Sequence, residues 1–153
     1  MSSEKTQRQR IVKALKPLHA CSVENSCMAG FPDVVFIGGM IEAKCLDAWP
    51  KRKGVVRLKH HFTALQRLFA RTWTRKGGFH AVCLQVDQDW FLLDGLAAAT
   101  HLERDWTEED IRRECLWSSC PLDEAGMLAF LKIHKGLEQA KRGEFSENPP
   151  HIP

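Results

Sequence analysis

The sequence predicts an α/β fold, a small mixed β-sheet flanked by helices, within a single domain over 1–153. Three observations carry this expectation. Segments with helical spacing alternate with β-rich runs, in the order helix, hairpin, helix, strand, strand, helices. Gly38-Gly39 separates the runs DVVFI and MIEAKC, a hairpin signal. The chain has 153 residues, 44% hydrophobic and 27% charged, the balance of one globular core.

The first helix is expected from about Glu4 to Leu15. Ile11, Val12 and Leu15 share a face, Leu18 lies one turn on, and Pro17 ends or kinks the helix. HACSVENSCMAG is small and polar and predicts no element. After the hairpin, WPKRKGVVRLKHH reads as a basic loop. A helix from about His60 to Arg75 would bury a stripe of Phe62, Leu65, Phe69 and Trp73, and Gly77-Gly78 stops it. FHAVCLQV and DWFLLD are the third and fourth strands, turning around Asp87 to Asp89. Thr107 is the expected N-cap of the next helix. A last helix spans about Leu122 to Arg142, with Leu128, Leu131 and Leu137 near helical spacing. The tail over 144–153, ending ENPPHIP, is expected to be loose.

Net charge is only +3, with a pI near 8.6, which permits a nucleic-acid partner without arguing for one. The distribution is uneven. Lys51, Arg52, Lys53, Arg57, Lys59, His60 and His61 crowd into one stretch, and Glu103, Asp105, Glu108, Glu109 and Asp110 into another. A local basic surface suits a polyanion, and a solvated loop would read the same way. MSSEKTQRQR lacks a signal-peptide core, and no run reaches about 18 apolar residues, so no membrane association and a cytoplasmic location are expected. The six cysteines form no C-x-x-C pair and are expected to be reduced and buried rather than zinc-bound. Most tryptophans read as core anchors. Trp49, inside the basic loop, is the one placed to stack on a base.

The hairpin holds the charges that need explaining. With a two-residue turn at Gly38-Gly39, Ile37 faces Met40, Val35 faces Glu42 and Asp33 faces Lys44. Alternation then puts Asp33, Glu42 and Lys44 on one face, while Val34, Phe36, Ile41, Ala43 and Cys45 form the other, which needs a helix to cover it. Asp33 and Glu42 are diagonal neighbours at roughly 7–8 Å. Two carboxylates held together repel, and a divalent cation removes that repulsion. Oxygen ligands with room for water suit Mg²⁺. Lys44 is placed to hold a metal-bound water or steady developing negative charge. An exposed ion-pair cluster is the plainer explanation, and coincidence across a glycine hairpin weighs against it.

These residues resemble the PD-(D/E)XK nuclease superfamily, most closely its small stand-alone phage and VRR-NUC-type, Holliday-junction-resolvase-like members. The likeness rests on Gly30-Phe31-Pro32-Asp33, on Glu42-Ala43-Lys44 in the next strand, on Glu24-Asn25 upstream and on Gln66 in the following helix. It covers roughly Val23 to Val86. The resemblance implies a restriction-endonuclease-like core, here about 20–95, with extra C-terminal helices over about 105–143. It implies Mg²⁺ or Mn²⁺ held by Asp33, Glu42 and the Ala43 carbonyl, with Glu24 as a further ligand, direct or through water. Lys44 would assist the attacking water, and Gln66 would orient the site or a phosphate. The implied activity is DNA endonuclease in a phage or bacterial setting. Lys51, Arg52, Lys53, Lys59 and Arg67 would contact DNA phosphates, Lys59 first and Arg67 second. His60 and His61 could serve metal or phosphate, or simply start the helix. A homodimer is compatible with the sequence, which displays no dimer seam. The rival is a nucleic-acid-binding adaptor with the same fold and little or no catalysis.

Overall fold

The computed structural model describes residues 3–24 and 27–143, so the expected loose tail over 144–153 and Asn25 lie outside the described residues. Helix α1 (Glu4–Ala14) starts where Ser3 Oγ accepts the Thr6 N–H at 3.2 Å. A 3-10 turn at Lys16–Leu18, with Pro17 inside it, takes the chain out of the helix. Then follow β1 (Cys21–Ser22), β2 (Val34–Phe36), β3 (Gly39–Leu46), α2 (Ala64–Arg75), β4 (His80–Val86), β5 (Asp89–Asp94), α3 (Gly95–His101), α4 (Glu108–Glu114), β6 (Trp117–Ser119) and α5 (Glu124–Gly143).

The strands form one six-stranded sheet in chain order. β3 and β4 are parallel, joined by the α2 crossover, and the other neighbours are antiparallel. The expected small mixed sheet flanked by helices is therefore the fold observed. Its two faces carry separate cores. Val34, Phe36, Ile41, Ala43, Ala81, Cys83, Trp90 and Leu92 pack with Ile11 and Leu15 of α1 and Met127 and Leu131 of α5. Val82, Leu84, Val86, Phe91 and Leu93 pack with Val56, Phe62, Ala70 of α2, Ala98 of α3 and Ile111 of α4. The cover expected for the apolar hairpin face is thus α1 with α5.

Four expectations are corrected. First, the hairpin pairs Val34 with Ile41, Val35 with Met40 and Phe36 with Gly39, so the turn is Ile37-Gly38. Gly38 takes φ 108°, which suits glycine at the second turn position. Gly39 is the first residue of β3, and only glycine fits there, since a Cβ would stand 2.5 Å from the Phe79 ring and 2.9 Å from the Phe36 ring. The ladder moves by two residues, so every side chain keeps its face. Continued by one pair, it sets Asp33 opposite Glu42 rather than Lys44. Second, α2 begins at Ala64, because Thr63 and Gln66 form a capping box.

Third, the expected stripe is only partly buried: Phe62 is in the core and Phe69 half-buried, but the rest is not. Leu65 is 52% and Trp73 38% exposed, whereas Arg67 and Ala70 are buried. α2 leans on α3, whose end offers carbonyls to Arg67 and Arg71. Fourth, only Cys45 and Cys83 are buried, and none of the six cysteines is in a disulfide. β1, α3 and β6 had no expectation. Two are strands of two or three residues, and α3 (GLAAATH) is too short and small-sided to show a stripe. Among the described residues, no helix is long and apolar enough to cross a membrane.

Candidate metal and nuclease site

Asp33, Glu42, Lys44 and Gln66 do converge. The loop carrying Asp33 is fixed by Gly30, which has φ +84° and lies against the first turn of α2. A Cβ there would stand 2.6 Å from the Leu65 carbonyl carbon and 2.9 Å from Gln66 N. Only glycine tolerates both the angle and the approach. Gly30→Ala is expected to move the loop and destabilise the fold by about 1–3 kcal/mol. Equilibrium unfolding checks this, and a change below about 0.5 kcal/mol would show that the loop adapts.

Asp33 Oδ2 accepts the Ala43 N–H at 2.9 Å, tying the loop to the middle of β3. The N–H and C=O of one strand residue point the same way, so the Ala43 carbonyl is directed to the Asp33 side. Glu42 and Lys44 stand on the α2 face of β3 and are 1% and 4% exposed. Glu42 Oε1 receives the Gln66 Nε2 donor at 2.5 Å and lies 3.2 Å from Lys44 Nζ. Gln66 serves twice, because its Oε1 also accepts the Thr63 N–H at 2.9 Å and completes the cap of α2.

Glu42 Oε2 is buried without a donor. Burial first, and the facing Asp33 carboxylate second, push the Glu42 carboxyl up to about 8, against the lowering pull of Lys44. Below that pH Lys44 meets a carboxyl that keeps its proton, with the Asp33 carboxylate nearby. A divalent cation can replace that proton. The donor set fits one that keeps several waters: Asp33, Glu42 and the Ala43 carbonyl. Among the described residues, no group of three or more His, Cys, Asp or Glu is gathered for a metal.

The sign of the pH dependence follows. Between the ordinary carboxyl value of 4.5 and about 8, folded Glu42 holds a proton that the unfolded chain releases. Its contribution to stability is therefore full below the lower value and is lost as pH rises through the upper one. Thermal melts of wild type and Glu42→Gln from pH 5 to 9 are expected to diverge upward in pH, wild type falling relative to the variant. Melting curves that stay parallel would place the carboxyl's ionisation elsewhere. A cation held by Glu42 would displace this proton, so any rise in Tm with Mn²⁺ is expected to grow up to about pH 8.

The structure adds residues from α1 that the sequence reading did not reach. Glu4 lies where the charges of Lys44 and Asp33 act on it. Its carboxyl is raised, by burial first, and its Oε1 is buried without a donor. Gln7 is fully buried, and its Nε2 donates to the Lys44 and Cys83 carbonyls at 2.9 and 2.8 Å. Arg8 Nη1 stands 3.5 Å from Asp33 Oδ1. A signal was present: Glu4, Gln7 and Arg8 extend the Ile11–Leu15 face N-terminally at helical spacing. Glu24, by contrast, is exposed after β1, and the carboxylate acting on Glu42 is Asp33. Glu4 is the α1 acid on which the Lys44 and Asp33 charges act.

The expected phosphate contacts divide. Lys51, Arg52 and Lys53 are exposed and line an open cavity of ≈ 530 Å³. Thr107, Glu108, Glu109 and Arg112 line the same cavity, so part of the acidic stretch shares it with the basic one. Lys59 is half exposed and 3.9 Å from Asp47. Arg67 is corrected outright. It is buried, with Nε on the Phe62 carbonyl and Nη atoms on the Ala99 and Leu102 carbonyls, and has no free donor edge for a phosphate. His61 Nδ1 is 2.7 Å from Glu103 Oε1, a structural contact. Trp49 is not an open platform, since its Nε1 donates to Asp89 at 3.3 Å and Arg112 lies over its ring.

No protein-family model matches the chain, and no curated protein matches it either.

Proposed function

We propose that the chain is a metal-dependent DNA endonuclease of the PD-(D/E)XK type, hydrolysing phosphodiester bonds. The observation that carries this is the buried Glu42 oxygen without a donor, set beside Asp33 and flanked by Lys44 and Gln66. Asp33, Glu42 and the Ala43 carbonyl would hold Mg²⁺ or Mn²⁺. That ion supplies Lewis acidity and a template for an in-line water.

The chain's own groups do the rest. Gln66 fixes the Glu42 carboxyl by its Nε2 donor, so the ligand oxygen does not rotate away. Lys44 Nζ, held against Glu42, is placed to orient the attacking water and to stabilise charge gained by the phosphate. Lys51, Arg52, Lys53 and Lys59 supply exposed cations for the DNA backbone. A homodimer would place two such sites on one duplex.

The adaptor reading keeps the DNA contacts and drops the reaction. The test is cleavage of labelled duplex, flap, junction and single-stranded DNAs with Mg²⁺, with Mn²⁺ and with EDTA, beside the Lys44→Ala protein. Metal-dependent cutting lost in the variant supports the nuclease. Binding of DNA without cutting on any substrate favours the adaptor.

A further inference from the structure

Arg8 occupies the place that a cation needs. Asp33 spends Oδ2 on the Ala43 N–H, so Oδ1 is the oxygen not engaged by backbone, and Arg8 Nη1 faces it at 3.5 Å. α1 cannot easily withdraw, because buried Gln7 pins it to the Lys44 and Cys83 carbonyls. The guanidinium itself is loosely held. The separation exceeds that of a hydrogen-bonded fork, and the Arg8 side chain is 22% exposed. A second cation at Oδ1 would meet the Arg8 charge at close range, inside a partly desolvated site.

We propose that Arg8 is the resident counter-ion of Asp33, which a divalent cation must displace. The guanidinium holds Asp33 and keeps metal affinity low. Arg8 is thus a positioning residue that acts through Asp33. The proposal rests on Asp33 being a metal ligand.

Calorimetric titration of the whole chain with Mn²⁺, without DNA and at fixed pH, tests it. Arg8→Gln is expected to bind Mn²⁺ about fivefold more tightly than wild type, and Arg8→Lys close to wild type. A merely structural arginine would weaken binding or leave it unchanged when removed, and either result overturns the proposal. Asp33→Asn separates the two levels. If wild type and Asp33→Asn bind Mn²⁺ alike, the metal-site reading fails. If Asp33→Asn loses binding while Arg8→Gln gains none, the Arg8 proposal alone fails.

Discussion

Lys44→Ala is expected to lower the rate of metal-dependent DNA cleavage about 10²–10³-fold, the usual effect of removing one preorganised charge-stabilising group. The protein should stay folded. Removing one partner of a buried ion pair commonly costs about 3–5 kcal/mol, because the remaining charge is stranded. Here the remaining group is Glu42, which burial and Asp33 keep protonated up to about pH 8. At pH 7 the truncation leaves a neutral acid still held by Gln66. Cleavage rates with Mg²⁺ and thermal melts at pH 7, measured together, check both halves. Wild-type cutting by the variant would remove Lys44 from the chemistry. Collapse of the fold would show that Glu42 is ionised in place.

Arg67→Ala is expected to act in the opposite sense, with a loss of stability of about 3–5 kcal/mol and no direct loss of a DNA contact. Its guanidinium donates to the Ala98, Ala99 and Leu102 carbonyls at the end of α3 and to the Phe62 carbonyl, with Glu103 3.8 Å away. Glu103 in turn accepts the Leu58 and Phe62 N–H groups. Truncation would strand these groups in the interior. Urea unfolding measures the loss, and a loss under about 1 kcal/mol would mean that water replaces the side chain. Arg67→Lys should recover only part, since an ammonium cannot reproduce a planar fork.

The pairing of Asp33, Glu42 and Lys44 was legible because strand alternation is insensitive to a two-residue register error. The turn residues were misplaced, yet Asp33 and Glu42 stayed on one face and came closer. Gln66 was legible for a related reason: an amide bordering an inward surface needs a partner. Arg67 was misread because charge was taken as a sign of exposure, while its burial depends on carbonyls of α3, a helix with no stripe to betray it. The α2 stripe misled in the same way. Leu65 and Trp73 have the spacing of a core face, but the small Ala70 is what lets α2 approach its neighbours. Glu4 and Arg8 were reachable by extending the α1 face. The polar terminus MSSEKTQRQR was weighed only for a signal-peptide core, not for what its helix face could bring to the hairpin.

The anchoring of the basic loop has a consequence for association. Trp49 is held to Asp89, and Val56 donates its N–H to the Trp106 carbonyl at 2.9 Å. Lys51, Arg52 and Lys53 therefore sit on a short span with both ends fastened. Ordering such a span on a polyanion forfeits little chain entropy, so more of each phosphate contact is left as net affinity. The stretch is a stiff clasp fastened at both ends, and not a free arm that must first find its shape.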